Sequence, residues 1–395
     1  MKKLLLVLGI ILLFGSEILK VYFIMPFPGS QHYNTIDIAY FLHTKIVYVR
    51  IIAILFIAYG LYGKLGNWKI WQKVLLGLAT ALYIFIFIVC SYYLLADKMF
   101  YQPRIKNFAD GKGEKINDKQ LVIGVELNGQ TKAYPIEIIG YHHQVRDTVG
   151  GKPIIVTYCT VCRTGRVYSP MIDNKYETFR LVGMDHFNAM FEDATTKSWW
   201  RQVSGKAIAG PLKGKSLDEI PSEQMSLQSW MHKNPGSLVL QPDSNFKQQY
   251  KDLTGFDNGT IKGSLEKRDS SSWHFKSWVI GIQYNGVSKA YDWNELVSNW
   301  VINDSVPSLP VIIALEPDGV TFHAWSRNVN GKSMTFKIHS DRKLLTDIQT
   351  GSFWNFEGIC IEGSLKDQRL LPVQAYQEFW HSWQTFHPNT SKYSR

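Results

Sequence analysis

Cys159, Cys162 and His142 are the residues of this 395-residue chain whose types and spacing could do chemistry. The two cysteines form a Cys-x-x-Cys motif that lies between two runs typical of strands and is followed by Gly165. A hairpin turn of this kind can bring both sulfurs to one side, where they can chelate a metal ion. His142 could supply a third ligand, and two thiolates with one imidazole suit Cu(I), Cu(II) or Zn(II). We therefore expect a soft transition-metal site at these residues, with copper ahead of zinc and one coordination position open.

Two other interpretations of the cysteine pair stay open. A Cys-x-x-Cys pair outside the cytoplasm can cycle between dithiol and disulfide, which would make the protein a dithiol oxidoreductase. Gly165 and a strand follow the pair, whereas a helix follows it in thioredoxin-like proteins, so a thioredoxin fold is not expected. The pair could also be a structural disulfide that closes a tight turn in a non-enzymatic ligand-binding module. The sequence alone does not decide whether the protein is an enzyme.

Four residues near the motif are weaker candidates for a ligand site. Two arginines could favour a thiolate or hold an anion, a histidine could add a ligand, and a tryptophan could form an aromatic wall. Core packing with charges at its rim is the competing interpretation. These residues are Arg163, Arg166, His186 and Trp199.

Composition and motif searches exclude several function classes. The formal charge is +10, but Lys and Arg occur only in short, interrupted stretches, so we expect contact with anionic lipid and no nucleic-acid binding. Four cysteines are too few for a disulfide scaffold. The chain has no Gly-rich phosphate loop, no His-Glu-x-x-His and no Gly-x-Ser-x-Gly. No small-molecule or protein partner can be named from the sequence.

Three apolar segments at the N-terminus predict a membrane anchor with spans at about residues 4–25, 46–62 and 74–96. The third is uncharged, whereas Arg50 interrupts the second and could snorkel to the interface. The loop Gly63–Lys73 carries three lysines and no acid, which predicts a cytoplasmic location. With a cytoplasmic N-terminus, three spans place everything after Ala96 outside. We expect an integral protein of the bacterial inner membrane with an extracytoplasmic C-terminal domain.

The soluble part repeats itself over about a hundred residues. Val122-Ile123-Gly124-Val125 and Lys132-Ala133-Tyr134 recur 157 positions later as Val279-Ile280-Gly281-Ile282 and Lys289-Ala290-Tyr291. The predicted domains are an anchor (1–96), a linker (97–118), a first repeat unit (119–241), a connection (242–276) and a second, degenerate repeat unit (277–390). Later residues recur at a slightly smaller offset: Thr196, Ser198 and Trp200 match Thr350, Ser352 and Trp354.

Residue patterns within the repeats predict a mostly-β fold with a few helices. Short β-branched and aromatic runs predict strands, and two Asn-Gly pairs predict hairpin turns. The predicted strands are Leu121–Glu126, Ile154–Tyr158, Arg166–Tyr168 and Thr178–Leu181, and the predicted helices lie near Asp218–Glu219, Ser226–His232 and Gln374–Thr385.

The duplication separates fold residues from candidate chemistry. Residues that both copies share, such as Gly124 and Trp200, are expected to serve the fold. Cys159, Cys162 and His142 are matched in the second copy by Glu316, Gly319 and Asn299. Because the second copy has lost these groups, we assign chemistry to the first copy.

The same residues resemble a known family. The motifs are Ile123-Gly124-Val125, His142, Asp147-Thr148-Val149-Gly150-Gly151, Val156 to Cys162, and Gly205 to Leu212. Together with the Trp and Pro pattern of the C-terminus they resemble the domain-of-unknown-function family 3179 (DUF3179), over about residues 119–390. The resemblance implies that His142, Cys159 and Cys162 belong to the family pattern, and it implies no activity.

Overall fold

The computed structural model describes residues 1–110, 116–341 and 343–394. Contacts divide the chain into two compact units, which we call the helical unit (residues 1–101 and 176–216) and the β unit (residues 102–175 and 217–395). The division differs from the predicted domains because residues 176–216 of the predicted first repeat cluster with the N-terminal helices. The predicted linker, 97–118, includes residues 111–115, which lie outside the described residues.

The helices and strands have the following bounds. The helices are α1 (Lys2–Tyr22), α2 (Ile36–Leu61), α3 (Ile70–Ile88, continued by a π-helical turn, Val89–Tyr93), α4 (Ala96–Met99), α5 (Ile136–His142), α6 (Leu227–Lys233), α7 (Lys247–Asp252), α8 (Trp293–Asn299) and α9 (Trp380–Phe386). The strands are β1 (Phe108–Asp110), β2 (Leu121–Leu127), β3 (Gln130–Pro135), β4 (Gln144–Val149), β5 (Lys152–Cys159), β6 (Thr164–Tyr168), β7 (Met171–Ile172), β8 (Lys175–Tyr176), β9 (Phe179–Asp185), β10 (Asn188–Asp193), β11 (Trp199–Arg201), β12 (Ala207–Ala209), β13 (Glu223–Ser226), β14 (Leu238–Leu240), β15 (Trp278–Tyr284), β16 (Val287–Asp292), β17 (Val301–Val306), β18 (Leu309–Leu315), β19 (Phe322–Ser326), β20 (Asn328–Val329), β21 (Lys332–Ser333), β22 (Phe336–Ile338), β23 (Leu345–Asp347), β24 (Phe353–Trp354), β25 (Cys360–Glu362), β26 (Leu371–Pro372), β27 (Ala375–Phe379) and β28 (Ser391–Lys392).

The helical unit contains three helices long and apolar enough to cross a membrane, which confirms the predicted anchor-like region. The second of them, α2, begins at Ile36, ten residues before the predicted start of its span. Helices α1 and α2 approach closely at small residues: a Cβ at Gly9 would lie 2.8 Å from the Ala53 carbonyl oxygen, and one at Gly60 would lie 2.6 Å from the Cβ of Leu6. Close approach through glycine is how apolar helices gain packing contacts in lipid.

Charged side chains meet inside this helical bundle. Glu17 of α1 accepts hydrogen bonds from Arg50 of α2, at 2.6 and 3.1 Å, and its Oε2 lies 2.7 Å from Lys20 Nζ. Tyr83 of α3 donates to the same carboxylate at 3.3 Å. Arg50 was expected to reach the interface alone, but an ion pair supplies its partner within the bundle. One buried carboxylate therefore ties the three long helices together.

A four-stranded antiparallel sheet, β12-β11-β10-β9, completes the helical unit. Trp200 of β11 is buried, and its indole donates to Asp193 Oδ2 at 2.9 Å. Thr196 donates to both oxygens of the same carboxylate. Asp193 thereby fixes the turn between β10 and β11.

The β unit consists of several small, mainly antiparallel sheets. Two of them have the orders β1-β14-β3-β2-β13 and β27-β15-β16-β28, and each contains one parallel pair, β14/β3 and β16/β28. The others that concern the site are β4-β5-β6, β17-β18-β19-β26 and β22-β23-β24-β25. The mostly-β prediction is confirmed. The sheet β27-β15-β16-β28 packs on a core of alternating inward residues, which include Ile280, Ile282 and Tyr291.

Most predicted strands are observed, and the helices are less well predicted. The helix near Ser226–His232 is found as α6, whereas the segment predicted helical at Gln374–Thr385 begins as β27 and turns into α9 only at Trp380. No helix forms at Asp218–Glu219, because Glu219 makes a β-bridge with Tyr168. Helices α5 and α8 were not predicted, since each spans only seven residues and has no side-chain cap.

Candidate functional site

The Cys-x-x-Cys motif occupies the turn between β5 and β6, as predicted. Strand β5 ends at Cys159, which pairs with Thr164 at the start of β6. Arg163 adopts a left-handed conformation, with φ 56°, and this closes the turn. Both cysteines are in the reduced thiol state and have no exposed surface, and the Cys162 thiol hydrogen-bonds to Cys159. The structure thus brings the two sulfurs together in the interior of the β unit.

An ammonium group and an imidazole meet at the carbonyl oxygen between the cysteines. Lys276 Nζ donates to the Val161 carbonyl oxygen at 2.5 Å, and His381 Nε2 lies 3.1 Å from the same atom. The two nitrogens are 3.2 Å apart. The ring of Phe275 stacks on His381 at 4.2 Å and is half exposed. We call Phe275, Lys276 and His381 the cover of the thiol pair.

Burial sets the protonation of this site. It raises the pKa of the Cys162 thiol well above its usual range, although Lys276 and Ser382 act in the opposite direction. Burial lowers the pKa of Lys276, and burial together with the Lys276 charge lowers the pKa of His381 to about 3. At neutral pH the imidazole is therefore uncharged and the closed site holds Cys162 as a thiol.

Arg163 is a structural part of the hairpin. Its side chain is buried, and its guanidinium lies 3.9 Å from the ring centroid of Trp278. It donates to Gln377 Oε1 at 2.9 Å and to the carbonyl oxygens of Phe256 and Asp257 at 3.1 and 3.0 Å. These partners take up three of the five N–H donors of the guanidinium and hold it within the β unit.

Arg166 is equally engaged. Its guanidinium lies 3.4 Å from the ring centroid of Tyr376 and forms an ion pair with the buried carboxylate of Glu378. Ser382 donates to the other oxygen of Glu378 at 2.9 Å and also hydrogen-bonds to Cys162. A chain of polar contacts therefore leads from Arg166 to the thiol pair.

His142 does not complete a metal site with the cysteines. Its Nε2 hydrogen-bonds to the hydroxyl of Tyr250 at 2.6 Å, and its ring packs among Tyr141 and Phe246. In the described ranges, no three His, Cys, Asp or Glu side chains form a group that could hold a metal ion. Metal binding by Cys159, Cys162 and His142 therefore stays a prediction.

His186 and Trp199 belong to the helical unit, whereas Arg163 and Arg166 belong to the β unit. His186 pairs with Asp185 at 2.6 Å. Trp199 is fully buried, donates to Glu192 at 3.0 Å and packs edge-on against Tyr40 of α2. Core packing therefore describes Trp199 better than a ligand wall.

Sequence reasoning missed the residues that surround the cysteines. Lys276 and Asp257 fall in the segment predicted to be only a connection (242–276), and His381 falls in the predicted second repeat unit (277–390). Lys276 is 115 positions from Val161, so no local spacing could indicate the contact. The available signal was the aromatic residues of this otherwise polar segment, such as the buried Phe256, because phenylalanine is among the residues most often buried.

The fold and the site define a class of protein with apolar N-terminal helices and a mostly-β part that holds a buried Cys-x-x-Cys hairpin. The chain belongs to the family described as "Protein of unknown function (DUF3179)", whose model matches residues 100–390. The predicted family membership is confirmed. No curated protein and no solved structure matches the chain.

Proposed function

We propose that Cys159 and Cys162 form a dithiol/disulfide couple and that the protein is a membrane-anchored thiol–disulfide oxidoreductase. The observation that carries this proposal is the contact between two fully buried thiols in the reduced state, close enough to Lys276 for its charge to act on them. Sulfurs already in contact can form a disulfide with little movement of the hairpin. The absence of a third metal ligand near them among the described residues favours redox exchange over a three-ligand metal site.

The proposed reaction needs a substrate disulfide as the oxidant. One cysteine, as a thiolate, attacks a substrate sulfur and forms a mixed disulfide, and the second substrate sulfur leaves as a thiolate. The other cysteine then attacks the mixed disulfide and forms the Cys159–Cys162 bond. The substrate sulfur that was held in the mixed disulfide leaves as a thiolate. The two protons lost by the cysteines end on the two substrate thiols. The ammonium of Lys276 stabilises the thiolate at each step.

The cover gives this couple its selectivity. A protein disulfide cannot reach thiols that have no exposed surface, so exchange requires that neighbouring side chains move or that the substrate be small. We infer that Phe275 and His381 are the side chains that move. The raised pKa of Cys162 keeps the closed pair unreactive. We infer that opening of the cover, which exposes Lys276 and the thiols to water, switches the pair on.

Stoichiometric exchange tests the proposal. The full-length reduced protein in detergent is incubated with oxidised dithiothreitol, and thiols are counted by alkylation and mass spectrometry. We expect loss of two thiols, both in the peptide with the motif, and no loss in Cys159→Ser or Cys162→Ser. Cys360→Ser is the matched control, since Cys360 is also a buried free thiol. Unchanged thiols in the wild-type protein at equilibrium would overturn the proposal.

Copper binding is the second candidate. Cu(I) accepts two thiolates alone, whereas structural zinc requires four protein ligands and catalytic zinc three. A Cu(I) ion with two thiolates carries one negative charge, which the adjacent ammonium of Lys276 would balance. Purification with Cu(I) under anaerobic conditions and metal analysis would give one copper per chain, lost in Cys159→Ser. Wild-type protein without copper would exclude this candidate.

The orientation of the chain is part of the proposal. Lys2, Lys3 and the lysines of the loop between α2 and α3 favour a cytoplasmic side for that end of the helices. With three spans the β unit then lies outside the cytoplasm, where disulfides form and persist. The bacterial inner membrane fits this arrangement.

We also infer that the two repeats derive from one ancestral unit. A Cβ at Gly124 would lie 2.2 Å from the Trp230 ring, and one at Gly281 would lie 2.2 Å from the Trp383 ring. Trp354 donates to Asp347 at 3.0 Å, as Trp200 does to Asp193. Equal contacts at matching positions support the interpretation that only the first copy kept the thiols.

A further inference from the structure

The hairpin of the second repeat that matches the cysteine hairpin carries its own polar pair. Glu316 follows β18 and stands 157 positions after Cys159, and His323 of β19 stands 157 positions after Arg166. His323 Nε2 lies 2.6 Å from Glu316 Oε1. Ser229 donates to the other oxygen of Glu316 at 2.7 Å. We had interpreted this copy as degenerate, yet the matched position holds a carboxylate-oriented histidine.

One nitrogen of this histidine is left for a ligand. The His323 ring is 92% buried, stacks on Trp325 with centroids 4.9 Å apart, and is held by Glu316 at Nε2. In the part of the chain that the structure describes, Nδ1 makes no hydrogen bond. In the tautomer that donates from Nε2 to the carboxylate, an imidazole ring accepts at Nδ1, so this nitrogen can accept a hydrogen bond from a ligand.

Two neighbouring cavities of the β unit meet at this histidine. Their volumes are about 400 and 750 Å³, within the range of small-molecule sites. They share four lining residues, Lys233, His323, Phe356 and Glu357. We call these two cavities together the His323 cleft.

The His323 cleft is acidic in a basic protein. Among the residues that the structure describes, its walls hold five carboxylates and two lysines, whereas the whole chain carries a charge of +10. One of the lysines, Lys233, is already paired with Glu223 at 2.5 Å. Phe356 adds an aromatic face, which attracts cations. The five carboxylates are Glu126, Glu223, Glu316, Asp318 and Glu357.

We propose that the His323 cleft is a binding site for a small organic cation, a ligand with one or more ammonium groups. Ammonium N–H groups would donate to His323 Nδ1 and to Glu357, and the charge would face the ring of Phe356. The N–H donors of such a ligand suit the acceptors of the cleft, and its positive charge suits the carboxylates and the aromatic ring. An anion would meet an excess of carboxylates. The site is independent of the redox couple of the first repeat.

Calorimetric titration of the full-length protein in zwitterionic lipid nanodiscs tests this proposal, with spermidine as the probe at low salt. We expect saturable binding with a stoichiometry of one, weakened at least tenfold in Glu357→Gln and in His323→Phe. Glu362→Gln, a change of an exposed carboxylate outside the cleft, is the matched control and should bind as the wild type does. Citrate should give no heat of binding.

Three results would overturn the proposal: no saturable spermidine binding, equal affinity of wild type and Glu357→Gln, or binding of citrate in place of spermidine. Melting curves of each variant show whether it is folded. If His323→Phe unfolds, Glu357→Gln decides alone, because the side chain of Glu357 is partly exposed and the change keeps its size. Thiol counts in the same samples keep this result separate from that of the redox test.

Discussion

At the residue scale, burial decides which groups of the β unit can react. Cys159 and Cys162 lie in a hairpin without exposed surface, and a thiol in that setting is a poor nucleophile. Lys276 is the one cation in the described surroundings that lowers the pKa of Cys162. Without the ammonium, the thiolate would lose its stabilising charge. Lys276 is therefore a positioning residue for the proposed exchange.

Replacement of this lysine should slow the chemistry and leave the hairpin folded. In Lys276→Met the pKa of Cys162 should rise further, because burial remains and the opposing charge is gone. We expect alkylation of the pair by a small maleimide at pH 8 to slow by about tenfold, which corresponds to a pKa change of about one unit. Lys267→Met, a change of another lysine of the same segment, is the control. Equal rates for Lys276→Met and wild type would show that the amine does not act on the thiols.

Asp257 should make stability depend on pH. Burial raises its pKa from the usual 3.8 to about 7, and its Oδ2 accepts a hydrogen bond from the Leu121 amide. The fold favours the neutral acid, so this stabilisation is complete below pH ~4 and is lost as the pH rises to about 7. Asp257→Asn keeps the acceptor and cannot ionise. At pH 8 the free energy of unfolding of Asp257→Asn, measured by urea denaturation, should exceed that of the wild type by about 2–4 kcal/mol. At pH 4 the two free energies should be equal.

Exposed Asp252 offers the matched control for this experiment, since Asp252→Asn should not change the pH dependence. A wild-type protein whose free energy of unfolding is the same at pH 4 and pH 8 would refute the assignment to Asp257.

At the element scale, the hairpin and the helix pair show what sequence patterns can and cannot reveal. Strands β2, β5 and β6 and the turn with the cysteines were predicted, because alternating residues and turn glycines act locally. The cover of the thiols was not, since Lys276 and His381 reach Val161 from distant segments. Long-range contacts of single polar side chains leave no periodic signal in the sequence.

In the N-terminal helices, too, the local pattern was predictable and the long-range contact was not. The apolar lengths of α1, α2 and α3 were evident, whereas the pairing of Arg50 with Glu17 was not. A charge in an apolar run shows that a partner is needed, but it does not show on which helix the partner lies. The structure supplies that partner from the neighbouring helix.

Close packing of α1 against α2 yields a prediction with an internal control. Gly60→Ala would place a Cβ 2.6 Å from the Leu6 Cβ and force the helices apart, whereas a Cβ at Gly77 of α3 meets nothing within 4 Å. We expect Gly60→Ala to destabilise the protein by about 1–3 kcal/mol. Gly77→Ala should be neutral or stabilising by about 0.5–1 kcal/mol. Thermal unfolding in detergent measures both, and an equal effect of the two changes would contradict the packing of α1 on α2.

At the scale of the whole molecule, charge and span number determine on which side of the membrane the chemistry takes place. The loop between α2 and α3 is basic, so three spans predict opposite sides for this loop and the β unit. A dithiol couple is useful in an oxidising compartment, where a partner can keep it cycling. The orientation and the redox proposal therefore depend on each other.

Labelling with a membrane-impermeant maleimide tests the orientation. In a background in which the four native cysteines are replaced by serine, a cysteine placed at exposed Lys392 or Lys69 gives the signal. In intact cells Lys392→Cys should be labelled, and Lys69→Cys should be labelled only after the membrane is opened. The reverse pattern would place the β unit in the cytoplasm.

An equilibrium redox titration tests the central claim most directly. The full-length protein is held in dithiothreitol buffers of graded potential, the remaining thiols are trapped by acid and alkylated, and the fraction of oxidised motif peptide is measured. The account predicts one reversible two-electron transition, identical in both directions, that includes Cys159 and Cys162 and spares Cys360. A pair that stays reduced at every potential, or a disulfide that no dithiothreitol buffer reduces in the folded protein, would contradict it.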